Sequence, residues 1–325
     1  MMSNKSKKLI QFLIVLCLLL AGVSWLAGPK GYKAYDIVAV RRKVNAMKSE
    51  PDNSLDVLFV GDSESCDVYS PFQLWGEYGF TSYNTGSAAQ RISDGYAILK
   101  QELQHQSPKL VVIEANTLFR DWDIYNKGYP GEYITERIIP LTHYHSFYKV
   151  MELPEWFIAQ TGQLQNANQM KGFWLRKTSR PYTGSAAYME RETKKQSMAE
   201  GTKSYFEKTV QLCKDNNIPV LVVASPSPKN WTEGRYLAIS EWCSQNDVGF
   251  IDLNHYIDEI GLDWSKDSLD YGDHVNFDGT LKVNTYLGQK IQSLYNLPDR
   301  RKENSSISDS WNEQYQKLGI YGGNS

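Results

Sequence analysis

Five short runs rich in Val, Ile and Leu, separated by helical patterns, constrain the fold of this chain more than any other feature. They lie at residues 56–60, 81–84, 110–113, 219–223 and 249–251, the second being the weakest. Runs of this kind read as parallel strands buried on both faces. Helical periodicity fits residues 90–105, 203–216, 233–246 and 281–295. The alternation predicts an α/β fold: a doubly wound parallel sheet of about five strands with helices on both faces. A length of 325 residues and a hydrophobic content of 41% suit one large domain of this type, placed at residues 55–298.

The regularity fails between residues 117 and 202, where one strand-to-strand connection is far longer than the few residues usual in such folds. This insertion is dense in aromatics, among them Trp122, Tyr125, Tyr129, Tyr144, Trp156, Phe173, Trp174 and Tyr182. It reads equally as a small helical subdomain with its own core or as a platform for substrate or a partner. At the other end, residues 299–325 lack apolar periodicity and are expected to be loosely ordered or packed by a few aromatics.

Lys5, Lys7 and Lys8 precede an uncharged apolar run at residues 9–27, close to the ~20 residues that cross a bilayer. Residues 1–8 then form a cytoplasmic tip, and everything after Gly28 lies outside the membrane. The run is either a retained anchor or a cleaved signal. Its length and the absence of an A-x-A site favour the anchor, with a single-pass cell-membrane location. Ile37, Val40, Val44 and Met47, followed by Pro51, predict a stalk helix within residues 28–54. Outside the membrane Cys66, Cys213 and Cys243 are too few for a disulfide scaffold. A Cys213–Cys243 pair is possible on sequence grounds, three buried thiols being the plainer reading. The formal net charge of −2, with no basic stripe, argues against a nucleic-acid partner.

The first strand runs directly into Gly61-Asp62-Ser63-Glu64-Ser65, which puts Ser63 at a strand's carboxyl end, where open α/β sheets place ligands. A hydroxyl there is accessible, and the next helix supplies N–H groups for an anion. The alternative for such a tripeptide is a helix cap. A serine nucleophile needs a base. Of the five histidines, His105 ends a surface helix and His255 reads as structural, while His143 and His145 lie in the insertion without a third metal ligand. His274, in the polar loop Ser268-Leu-Asp-Tyr-Gly-Asp-His-Val-Asn before the last helical pattern, can face Ser63.

Four blocks in order, GDS after the first strand, Tyr83-Asn-Thr-Gly86 after the second, Glu114-Ala-Asn116 after the third and DHVNFDG before the last helix, resemble the SGNH, or GDSL-like, hydrolases. The resemblance covers roughly residues 56–297. It implies a flavodoxin-like sheet order, Ser63 as nucleophile, His274 as general base, and an oxyanion hole from Ser63, Gly86 and Asn116. Preorganised donors of that kind commonly supply the largest electrostatic contribution to acyl transfer. Neither metal nor organic cofactor is implied. The family's acid usually stands three residues before the histidine, a place held here by Tyr271. Asp270 is the favoured acid and Asp273 the alternative, with a Ser-His dyad the third option. The block Glu-Ala-Asn also departs from the commoner Gly-x-Asn-Asp. The layout of membrane span plus external domain resembles accessory proteins of bacterial envelope O-acylation. That likeness implies an acylated polysaccharide substrate and a multispanning membrane-bound O-acyltransferase partner. A plain esterase or lipase-like hydrolase, and an idle binding or assembly subunit, remain the rival expectations.

Overall fold

In the computed structural model, residues 4–27, 47, 49–120 and 170–321 are described. The first of these segments is one helix, α1 (Asn4–Ala27), apolar and long enough to cross a membrane, with a mean hydropathy of 1.9 over residues 4–23. Most of the expected stalk, His143, His145 and residues 121–169 of the insertion lie outside the described residues.

The five runs form β1 (Val57–Val60), β2 (Ser82–Asn84), β3 (Leu110–Glu114), β4 (Val220–Ala224) and β5 (Gly249–Asp252). All pairs are parallel and the order is β2-β1-β3-β4-β5, with Val57 opposite both Ser82 and Leu110. This is the flavodoxin-like arrangement, whose direction of winding reverses between β1 and β3, so a crevice opens at the carboxyl ends of those strands. The pleat splits the core in two. Leu58, Val60, Val111, Ile113 and Val222 face one side, against Phe206 and Ile239; Val57, Phe59, Val112, Leu221 and Val223 face the other, against Val283, Leu287 and Ile291.

Helices α2 (Ser63–Val68) and α3 (Pro71–Tyr78) follow β1, and α4 (Ile92–Glu102) follows β2. Their partners are α5 (Glu200–Asp215), α6 (Glu233–Asn246), the short α7 (Ile257–Ile260) and α8 (Phe277–Tyr295). The close succession of α2 and α3 has no sequence periodicity to announce it: each has at most two turns. Pro71 at the start of α3 and left-handed Gly79 at its end fix the second of them.

Within the described residues 299–321, the C-terminal segment forms a helix packed by its aromatics. Helix α9 (Ser306–Leu318) is capped by the Ser305 side chain, which accepts from the Ser308 N–H. It buries Trp311 against Phe72 and Trp75, at ring separations of 5.1 and 5.4 Å. Just before it, Arg300 donates twice to the buried Asp56 carboxylate, at 2.7 and 2.8 Å. Cys66, Cys213 and Cys243 are buried and not disulfide-bonded, and burial pushes the Cys213 and Cys243 thiols up to about 12.

Candidate active site

Asp62 caps α2: one of its carboxylate oxygens accepts from the Glu64 N–H, leaving Ser63 as the first helical residue. A residue in that place has a backbone N–H with no intrahelical acceptor. Two glycines let the turn lie flat against its neighbours. A Cβ at Gly61 would come within 2.5 Å of the Glu114 Cβ, and one at Gly86 within 2.7 Å of the Ser65 Cβ. Ser63 is half-buried, and among the described residues its hydroxyl has no hydrogen-bond partner.

The loop bearing His274 reaches this turn because α8 packs along α2. Thr280 donates to the Asp67 carbonyl at 2.9 Å and the Asn284 amide to the Val68 carbonyl at 2.6 Å. Within the loop, Tyr271 and Gly272 both adopt left-handed conformations, with φ of 64° and 88°. That double turn accommodates the extra residue between the acid and the histidine. Asp270 then faces His274 twice: one oxygen takes the His274 backbone N–H and the other lies 2.8 Å from Nδ1. Asp273 stands 4.0 Å from the same nitrogen and accepts instead from the Asn230 amide. Burial works to raise the Asp270 carboxyl, yet the hydrogen bond and charge of His274 outweigh it and hold it below the usual range. The other ring nitrogen, Nε2, is buried and has no partner among the described residues, so Ser63 and His274 are not hydrogen-bonded to each other. Such bonds are often long in unliganded enzymes and tighten when substrate is bound.

Asn116 sits on the 3-10 turn Ala115–Phe119, its N–H received by Glu114. Its side-chain amide donates one proton to Asp62 at 3.0 Å and its oxygen accepts from Arg235 at 2.7 Å. The Gly86 N–H donates to the Asn84 side-chain oxygen at 3.0 Å, and the Asn84 amide holds the carbonyls of Ser65 and Tyr69. Thus the three expected oxyanion donors border one turn, with Gly86 and Asn116 each already engaged once.

Several participants were not foreseen. Glu64 reads in sequence as a solvated acid favoured by a helix N-terminus, but it is fully buried. One oxygen accepts from Asn230 at 2.8 Å and the other has no partner among the described residues. Burial pushes its carboxyl up to about 8, with the His274 charge opposing. For His274, burial pulls downward, but Glu64 and the Asp270 hydrogen bond outweigh it and push the imidazole up to about 10. A neutral Glu64 cannot hold His274 protonated, so the two share a single proton problem. Arg120 pairs with Asp62, and Glu114 is buried with its carboxyl raised well above the usual range by burial and by Asp62 and Glu64.

Glu64, Asp273 and His274 each bring one donor atom within 4.8 Å of the others, a spacing open to a metal ion. Asn230 bridges the two carboxylates, so an ion there would have to displace that amide. His105 and His255 are elsewhere, facing Asp52 at 3.6 Å and Glu233 at 3.4 Å.

No family model matches the chain, and no curated protein matches it. The solved structures similar to it include GDSL-like lipases and acylhydrolases. A GDSL-like lipase from Bacteroides thetaiotaomicron shares 12% identity, covering 78% of this chain and 97% of that one with a TM-score of 0.41. A lipase/acylhydrolase from Enterococcus faecalis shares 11%, covering 74% and 96% with a TM-score of 0.39. At such identities the likeness is one of fold.

Proposed function

We propose that this protein is a serine esterase or acyltransferase that forms an acyl ester on Ser63 and passes the acyl group to a hydroxyl of an envelope polysaccharide or to water. The observation that supports the reading is that Ser63 opens α2 next to Glu64, whose carboxylate lies within 4.8 Å of a ring nitrogen of His274, while Asp270 meets the His274 Nδ1 on the loop before α8. Ser63 Oγ attacks the ester carbonyl and gives its proton to His274 Nε2. Asp270 holds Nδ1–H and stabilises the imidazolium. Charge developing on the carbonyl oxygen is met by the Ser63 N–H and the second amide proton of Asn116, and by the Gly86 N–H once it exchanges the Asn84 side-chain oxygen for the oxyanion. Collapse breaks the ester C–O bond, and the leaving alcohol takes the proton back from His274. The acceptor hydroxyl, or water, then loses its proton to His274 and attacks the acyl-serine, which regenerates Ser63.

The three lysines ahead of α1 support an external site held near the bilayer, with the aromatic insertion as a glycan platform and a multispanning O-acyltransferase as acyl supplier. Two measurements test this. A fluorophosphonate probe is expected to label the native chain and not Ser63→Ala. In cells, Ser63→Ala is expected to leave the protein at the membrane and to strip base-labile acyl groups from one envelope polymer. Equal labelling of both proteins defeats the serine mechanism. Increased polymer acylation makes the protein a deacylase, and unchanged polymers remove the polysaccharide role.

A further inference from the structure

Beside the Ser63 turn lies a cavity of about 280 Å³ lined by Ala89, Arg91, Asn116, Phe119, Arg120, Asn230 and Arg235. Three of these residues are arginines and none is acidic. The cavity is continuous with the site, because Asn116 borders the oxyanion position and Asn230 holds Glu64 and Asp273.

Arg235 is the telling member. It is half-buried, yet among the described residues no carboxylate lies within ion-pair distance of it. Its guanidinium donates to two neutral oxygens, those of Asn116 at 2.7 Å and Gln196 at 3.3 Å, and rests 4.7 Å above the Phe119 ring. Nη2 has no protein partner among the described residues. Burial, joined by the neighbouring Arg120 and Arg191 charges, lowers the guanidinium below its usual range against the pull of Glu114. Arg120, which also lines the cavity, is paired through Nε with Asp62. A cation held only by neutral acceptors and an aromatic face, as Arg235 is, leaves a demand for negative charge beside the cavity. Planar forks of this type match carboxylate or phosphate oxygens two at a time.

We infer that this cavity is an oxyanion subsite, which selects substrates carrying a carboxylate or phosphate group close to the ester that reacts at Ser63. Neutral esters would fill the site around Ser63 and leave Arg235 without an anionic partner. The place of the subsite in a reaction rests on the esterase reading; the binding of an oxyanion does not.

The test uses the full-length chain in detergent, carrying Ser63→Ala so that nothing turns over. Inorganic phosphate and glucuronate are titrated separately by calorimetry, with glucose as the neutral control. At least one oxyanion is expected to bind saturably, more weakly as salt rises, and glucose not at all. Whichever of the two binds more tightly identifies the group. Arg235→Gln is expected to weaken that binding about tenfold or more, and Arg235→Lys less. Arg91→Gln provides a second variant should Arg235→Gln not fold. Absence of binding by both oxyanions, or equal binding by Arg235→Gln and its parent, overturns the subsite. In the chain with Ser63 intact, kcat/KM for 4-nitrophenyl hemisuccinate relative to 4-nitrophenyl butyrate is expected to fall in Arg235→Gln. Hydrolysis of neither ester counts against the esterase reading alone, since the calorimetry decides the subsite without it.

Discussion

The two ends of β1 each bury carboxylates, and they treat them in opposite ways. At the amino end Asp56 is fully enclosed and answered on every side: two bonds from Arg300, one from the Thr81 hydroxyl at 2.9 Å, and Lys109 at 3.4 Å. At the carboxyl end Glu64 is equally enclosed but has one oxygen without a partner among the described residues, and its strongest charged neighbour is the imidazole of His274. The first arrangement spends geometry on holding the C-terminal segment to the sheet. The second keeps a proton undecided next to the serine. A buried acid with matched donors is structural, whereas one whose ionisation depends on a neighbour's proton can take part in chemistry.

The comparison breaks first at the catalytic end if the acid is misassigned. Asp270→Asn is expected to lower kcat for a small activated ester by about 10³–10⁴, as loss of the orienting carboxylate does in serine triads, and Asp273→Asn by less than about tenfold. Steady-state kinetics on both variants decides it, a larger loss in Asp273→Asn reversing the roles. At the structural end, Arg300→Ala is expected to cost roughly 3 kcal/mol of stability by leaving Asp56 short of its partner, while activity per folded molecule holds. Denaturant unfolding alongside an active-site titration measures both. A drop in activity without a drop in stability would mean that the two ends are coupled.

The smallest effect sharpens the contrast. Ionised Glu64 favours the protonated imidazole, so Glu64→Gln removes a pull that raises His274. The imidazole then becomes a free base at lower pH, and the acid limb of the kcat/KM profile is expected to move down by on the order of one unit. An unmoved limb would assign Glu64 a packing role like that of Asp56.

Much of this protein is legible in its residues because the signals are local. Apolar runs of four or five residues mark the strands, helical spacing marks α4, α5, α6 and α8, and the serine and histidine stand at the ends of such elements. The bounds of α6, residues 233–246, coincide with the sequence pattern. The short α2 and α3 escape because two turns hold too little periodicity to be read. Helix α9 escapes because its polar sequence is held by Trp311, whose partners lie more than two hundred residues away in α3.

What the sequence by itself determined is therefore the five strands, the longer helices around them and the identity of Ser63 and His274 as a candidate pair. The tertiary structure alone decided how the two aspartates stand to His274, with Asp270 brought to Nδ1 through the left-handed pair Tyr271 and Gly272, and the burial of Glu64 and half-burial of Arg235. The physical reason is that strand and helix propensity act over neighbours in the chain. The charge state and accessibility of a side chain are set instead by whatever folding brings against it, here Asn230 for Glu64 and Asn116 for Arg235, 166 and 119 residues distant.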